Sequence, residues 1–306
     1  MILVTGGTGF IGQVLIHQLV AMGKPVRSLL RPSSTSPNLP RGVSLDVAVS
    51  SLRDERGLRS AMKGIEVVYH LASAERKGSR ADLTGVDIEG TQAVIRAAVE
   101  AGVEQIIYLS HLGANRSSAF PVLKAKAIAE NYILRSGLKY TIFRSAVVFG
   151  PNDQFTESLA RLIRMLPGLF LMPGDGSVML QPIWVEDLVT CMALVLDDSR
   201  AVNQVYEVGG AEYFNFRQII EVISSAIGER RYLVPVIPTY LRNIAVYAEN
   251  LVPNFPISLF WLDYLATDRT CALDTLPRQF GLIPTRFTHS LDYLREEFGK
   301  PTRRSR

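Results

Sequence analysis

Apolar and polar positions alternate in two different rhythms along the first half of the chain. Short runs of aliphatic and β-branched residues occur at 2–4, 26–30, 43–49, 67–71, 106–109 and 140–143. Between them, at 10–22, 58–62, 90–101 and 122–136, apolar residues recur three and four apart. The runs predict strands and the intervening segments predict helices. Strands joined by crossovers of helical length predict βαβ units, and therefore a parallel sheet covered by helices on both faces. Ligands of such sheets bind at the carboxyl ends of the strands, where the strand order reverses.

Past Gly150 the rhythm loosens. A helix is expected over 184–196 with a strand-like start at Gln181, one more strand over 205–208, and an amphipathic helix over 216–227. The expected division is a first domain of 1–152 to which 181–209 return, and a smaller lobe of 210–306 with 153–180. The stretch 233–265 is rich in rings, among them Tyr240, Tyr247, Phe255, Phe260 and Trp261. Prolines at 235, 238, 253 and 256, with Arg242, Glu249 and Asp263, break it too often for an apolar span of about 20 residues. Two readings stay open: the core or lid of the small lobe, or a hydrophobic surface for a membrane or a large partner.

Composition excludes several classes. A hydrophobic content of 47% with 20% charged residues describes a folded chain rather than a disordered one. Cys191 and Cys271 are the only cysteines and stand far apart, so neither a disulfide framework nor a metal site is indicated. The net charge of +4 is concentrated in a terminal tail holding Lys300, Arg303, Arg304 and Arg306. That tail reads as a solvated end, or as weak attraction to an anionic surface. No nucleic-acid-binding pattern is present. A strand starting at Met1 is expected to leave no room for a leader, which suits a cytoplasmic protein, with a peripheral place on the cytoplasmic membrane face as an extension.

The candidate chemistry begins at Thr5-Gly6-Gly7-Thr8-Gly9-Phe10-Ile11-Gly12, between the first strand and the first helix. Gly6 permits a tight turn, Gly9 lets backbone approach a phosphate, and Gly12 lets the helix pack closely. The helix N-terminus that follows offers free N–H groups to an anion. At the end of the second strand stands Arg31, followed by Ser33 and Ser34, with no carboxylate. A carboxylate there would hold a ribose 2′-hydroxyl; an arginine suits a 2′-phosphate, which favours NADP(H) over NAD(H).

These motifs, with Tyr69-His70-Leu71-Ala72, Val86-Asp87-Ile88-Glu89-Gly90-Thr91, Leu109-Ser110 and Phe143–Pro151, resemble the extended and atypical short-chain dehydrogenase/reductase superfamily. Further runs carry a narrower likeness: Leu109–Ala114, Gln181–Asp187, Tyr206–Gly210 and Phe280–Thr285. They are similar to the branch containing the NADPH-binding accessory subunit of respiratory complex I and its bacterial relatives. The resemblance implies an α/β, Rossmann-type doubly wound parallel sheet with a smaller, discontinuous C-terminal lobe. It also implies cofactor contacts from Thr5, Gly6, Thr8, Gly9, Phe10, Ile11, Gly12, Arg31, Ser33, Leu71, Ala72, Ser110 and Lys126.

The family's reducing members carry a Tyr-x-x-x-Lys pair, in which the tyrosine delivers a proton. Aligned on Lys126 the tyrosine position holds Val122; aligned on Lys124 it holds Phe120. Neither transfers a proton, so little or no turnover is expected. Ser110, His111 and Lys126 are the remaining catalytic candidates, with His111 a substitute donor and Tyr132 read as packing. His70 is expected beside the cofactor in a backbone-approach role. On the adenine side Ser51 and Asp54, or Asp46 in another register, are candidate partners, and Asp87 stands where an Asn is usual. The resemblance implies an accessory or assembly component of a membrane-associated electron-transport complex, with 233–265 as its partner surface. Alternatives are an active atypical NADPH-dependent reductase and an NADP(H)-sensing regulator.

Overall fold

The computed structural model describes residues 1–34, 38–40, 42–166, 168–251 and 258–299. They form two compact units: Met1–Arg76 with Ala81–Ser145 and Val185–Val208, and Lys77–Arg80 with Ala146–Trp184 and Gly209–Arg306. In the first unit the order is β1 (Ile2–Thr5), α1 (Phe10–Ala21), β2 (Val26–Leu30), β3 (Asp46–Val49), α2 (Glu55–Ala61) and β4 (Val67–His70). A π-helical turn, Thr84–Ile88, leads into α3 (Glu89–Ala101), followed by β5 (Gln105–His111), α4 (Pro121–Leu134) and β6 (Lys139–Ser145). The chain returns with α5 (Val185–Leu194) and β7 (Gln204–Val208).

All seven strands are parallel, in the order β7-β6-β5-β4-β1-β2-β3. The sequence therefore runs outward in both directions from the β1–β4 pair, the reversal at which α/β sheets bind ligands. Every residue of β1 is buried, as expected where helices cover both faces. Leu3, Leu58, Val68, Val94, Ile106 and Ile142 make the centre of this core. The predicted strand at 43–49 begins only at Asp46, after a turn at Gly42 with φ of +74°.

The carboxyl ends of β1 and β4 are joined by side chains. Thr91 Oγ1 donates to the Asp87 carbonyl at 2.6 Å, so it can only accept from His70 Nε2, 2.9 Å away. The imidazole is then protonated on Nε2, and its Nδ1 accepts from the Thr5 hydroxyl at 2.7 Å. Thr5 Oγ1 in turn lies 3.4 Å from the Ala72 N–H. All three side chains are buried, and the chain of donors leaves the ring neutral.

The second unit packs the helices Thr156–Met165 and Phe216–Ala226 around Phe149, Phe170, Ile219 and Phe287. Phe149 and Phe287 meet edge to face at 4.9 Å. Asn215 and Gln218 form a capping box at the start of Phe216–Ala226. A two-stranded parallel sheet pairs Leu169–Pro173 with Tyr232–Val236. The ring-rich stretch divides here. Phe260 and Trp261 follow the first of the two open readings: they sit on Leu259–Tyr264 and pack on the core, Trp261 at 5.0 Å from Phe155. Tyr240, Ile244, Tyr247 and Leu251, spaced four, three and four apart on the helix Pro238–Leu251, are exposed, while Leu241 and Ala245 face inward. Phe255 and the basic tail lie outside the described residues. Among the described residues no helix is long and apolar enough to cross a membrane.

Burial, with the Lys126 charge second, depresses the His70 pKa to about 3. The unfolded chain, titrating near 6.5, binds a proton that the folded chain refuses, so stability falls as pH drops below about 6.5. Denaturant unfolding is expected to lose about 2 kcal/mol between pH 7 and pH 5, a component absent from His70→Gln. A flat profile in wild type would contradict a neutral, locked His70.

Candidate functional site

The turn after β1 is shaped by close backbone contact. Gly6 has φ of +74°, and a Cβ there would come within 2.7 Å of the Leu71 carbonyl carbon and 2.8 Å of the Ala72 nitrogen. Leu71 and Ala72, named from the sequence, thus form the wall against which the turn is seated. A Cβ on Gly12 would overlap the Gly6 carbonyl oxygen, so this glycine admits the turn's own backbone rather than the strand. Gly7, to which the sequence assigned no role, is equally constrained: its Cβ would lie 2.6 Å from Ser28 Oγ on β2.

Above this turn the N-terminus of α1 is bare. Gly9 is its N-cap in extended conformation, no side chain caps it, and its first turn holds no acid. The N–H groups of Phe10 and Ile11 precede the first intrahelical bond, made by Gln13 N–H to the Gly9 carbonyl at 3.0 Å. Thr8 is exposed on the turn. Free donors, a positive helix end and a glycine-lined approach fit a dinucleotide pyrophosphate. Arg31 and Ser33 lie exposed just past β2, the strand paired with β1 on the side away from β4.

The second group gathers at the ends of β4 and β5. Lys126 on α4 is 5% exposed, its Nζ 3.8 Å from Glu75 Oε2, 3.7 Å from Asp87 Oδ1 and 3.4 Å from the Leu109 carbonyl oxygen. His111 Nε2 lies 2.9 Å from Glu75 Oε2, which also accepts from the Ser73 hydroxyl at 3.2 Å. Asp87 Oδ2 accepts the Ala74 N–H at 2.9 Å. Burial alone would raise the Glu75 carboxyl, but the His111 and Lys126 charges hold it well below the usual carboxylate range. Burial also works against the Lys126 ammonium, yet Tyr108, Glu75 and Asp87 shift it upward overall. Asp87 is raised, burial outweighing the pull of Lys126. Ser110 Oγ is buried with no hydrogen-bond partner among the described residues, an acceptor and donor open to a ligand.

The structure therefore brings His111 and Lys126 together through Glu75, with Ser110 preceding His111 on β5, and groups Thr5, Gly6, Gly9, Phe10, Ile11, Gly12, Leu71 and Ala72 around the turn. Lys124 is exposed, whereas Lys126 enters the cluster, with Val122 one turn earlier on the same helix. Tyr132 packs on the core. The His70 ring is the buried link between Thr5 and Thr91, and the close backbone approach is made by Leu71 and Ala72, which follow it. The acids expected on the adenine side are otherwise engaged. Asp46 opens β3, at the end remote from the site, and pairs with Arg27 at 2.6 Å; Asp54 caps α2 by accepting the Gly57 N–H at 3.0 Å. Glu75 was missed, because nothing in its local sequence distinguishes it from a solvated loop acid.

A family model described as NAD(P)H-binding matches residues 6–157, and one for the NAD dependent epimerase/dehydratase family matches residues 117–209. The chain is 28% identical over 235 residues to the NADH dehydrogenase [ubiquinone] 1 alpha subcomplex subunit 9, mitochondrial, of Arabidopsis thaliana, covering 74% of this chain but only 58% of that subunit. It is 24% identical over 315 residues to photosystem II assembly factor Ycf39 of Synechocystis, covering 98% of this chain and 91% of the factor. Among solved structures, the NADPH-dependent quinone oxidoreductase QOR2 of Escherichia coli, complexed with NADPH, superposes with a TM-score of 0.75 at 20% identity, covering 96% and 99% of the two chains.

Gly12→Ala forces the new methyl into the turn. It is expected to destabilise the fold by about 1–3 kcal/mol. Dinucleotide binding should weaken more than tenfold, as titration calorimetry would record; unaltered binding would contradict the close packing of turn and helix.

Proposed function

We propose that this chain, which belongs to the NAD(P)-binding epimerase and short-chain dehydrogenase/reductase-like superfamily, holds NADP(H) in its first unit without turning it over rapidly. It would act as an accessory or assembly component of a membrane-associated electron-transport complex. The observation that carries the first part is the setting of Lys126. One turn before it stands Val122, which has no proton to give, and its ammonium lies between Glu75 and Asp87. Such a lysine can orient a ribose but lacks the phenol through which hydride transfer to a carbonyl is normally completed. Bound, the nicotinamide would supply hydride chemistry; the chain's own residues bind and orient it. Phe10, Ile11 and Gly12 would meet the pyrophosphate, Arg31 with Ser33 a 2′-phosphate, and Lys126 and Ser110 the nicotinamide ribose.

The accessory role draws support from the complex I subunit and the photosystem II assembly factor among the relatives, and from the exposed stripe of the helix Pro238–Leu251. Tyr240, Ile244, Tyr247 and Leu251 give that helix an apolar face with amphipathic rings, suited to the boundary between water and a greasy partner. A second reading, an active reductase, is favoured by the His111–Glu75 contact. A carboxylate-oriented imidazole is a plausible acid in place of a tyrosine.

Arg31→Ala is expected to weaken NADPH roughly tenfold or more while changing NADH little, since only the former loses a charge-assisted pair. Equal loss for both nucleotides would contradict the assignment. In the same preparation NADPH should bind without being oxidised by simple ketones; rapid oxidation, abolished by His111→Gln, would establish the reductase reading instead. Ile244→Glu with Tyr247→Glu is expected to abolish flotation of the intact chain with anionic liposomes. No flotation of wild type, or flotation unaffected by both changes, would remove this face from the account.

A further inference from the structure

Around Lys126 two carboxylates gather rather than one, and His111 sits against one of them. Glu75 Oε2 and Asp87 Oδ1 both face one ammonium, at 3.8 and 3.7 Å. Glu75 is tied down further by His111 Nε2 at 2.9 Å and the Ser73 hydroxyl at 3.2 Å, and Asp87 by the Ala74 N–H at 2.9 Å. These contacts hold both carboxylates against the lysine. Of the three charged groups, Lys126 and Asp87 are 5% and 1% exposed, while Glu75 keeps 21%. Glu75 is thus the carboxylate that borders the accessible side of the cluster.

A nicotinamide changes by one unit of charge between its oxidation states. The oxidised ring is a cation and the reduced ring is neutral, whereas ribose, pyrophosphate and adenosine are the same in both. A fixed carboxylate near the ring therefore contributes to one state only. We propose that Glu75, assisted by Asp87, biases this site toward the oxidised nicotinamide, so that the chain distinguishes NADP+ from NADPH by ring charge. The proposal rests on the reading that the dinucleotide binds in the first unit with Lys126 at its nicotinamide ribose.

The physics gives the effect a size. A carboxylate beside the ring attracts its positive charge by a few kcal/mol at an effective dielectric near 20, and with the Lys126 ammonium offsetting part of that attraction the bias is on the order of tenfold in affinity. By linkage, preference for the oxidised form makes the bound couple harder to reduce, a tenfold preference corresponding to about 30 mV. A chain with this bias would change its occupancy with the oxidation state of the pool, which is regulation through binding rather than through turnover.

The test is a pair of titrations on the intact chain. Wild type, Glu75→Gln and Asp87→Asn are each titrated with NADP+, with NADPH and with 2′,5′-ADP, which lacks the nicotinamide. Glu75→Gln is expected to shift the ratio of the two dinucleotide affinities toward NADPH by roughly tenfold. Asp87→Asn should shift it in the same direction by less, and 2′,5′-ADP should be unaffected by either change. A ratio within twofold of wild type in Glu75→Gln overturns the proposal, whether the affinities are kept or fall together, because the latter marks a merely structural carboxylate. Wild type binding NADP+ and NADPH with an intact ratio, but no shift in the variants, leaves the dinucleotide reading standing alone. Wild type binding neither removes that reading and this proposal with it.

Discussion

The hydrogen-bonded chain from Thr5 through His70 and Thr91 to the Asp87 carbonyl is the constraint on which the first unit depends. It ties the carboxyl ends of β1 and β4 to the turn that begins α3, at the point where the strand order reverses. Once that link is made, Leu71 and Ala72 must follow β4 directly beneath the glycine turn, and Gly6 must do without a side chain. The same link fixes Asp87, whose carboxylate holds the Ala74 N–H and so carries Glu75 to Lys126 and His111. Fold and candidate site are one network here. A neutral His70 serves both, because its Nδ1 then accepts from the Thr5 hydroxyl while its Nε2 donates to Thr91.

Much of this was legible in the sequence, because the signals were local. Glycines at 6, 9 and 12 follow an apolar strand and precede a helical period, and that combination specifies a turn, a helix terminus and a close approach within eight residues. The central strands were equally readable, being buried on both faces and therefore largely apolar up to their polar carboxyl ends. What stayed hidden depends on contacts across the chain. Glu75 meets His111 from 36 positions away, and no periodicity marks the segment it occupies. Asp46 and Asp54 have the composition of adenine-side partners, yet one lies at the wrong end of β3 and the other satisfies a helix cap.

The rings of 233–265 make a similar point about phase. Tyr247 and Trp261 look alike as sequence, but their burial is set by which side of a short helix each occupies. That is decided by where the helices begin, at Pro238 and Leu259. The stripe that remains exposed is uncharged along Tyr240, Ile244, Tyr247 and Leu251, and apolar area of this kind is not usually left to water. The two units thus present separate capabilities: a nucleotide cradle whose lysine is restrained by acids, and a surface suited to association. The proposed accessory role would draw on both.

The central claim is that the first unit carries a dinucleotide as a resident group. Native mass spectrometry of the freshly purified chain tests it most directly, since neither a substrate nor a partner need be known. The account predicts a major species heavier than the polypeptide by one nicotinamide dinucleotide, released intact on denaturation and identified as NADP+ or NADPH. A polypeptide of bare mass that takes up neither NADP(H) nor NAD(H) when supplied in excess would contradict it.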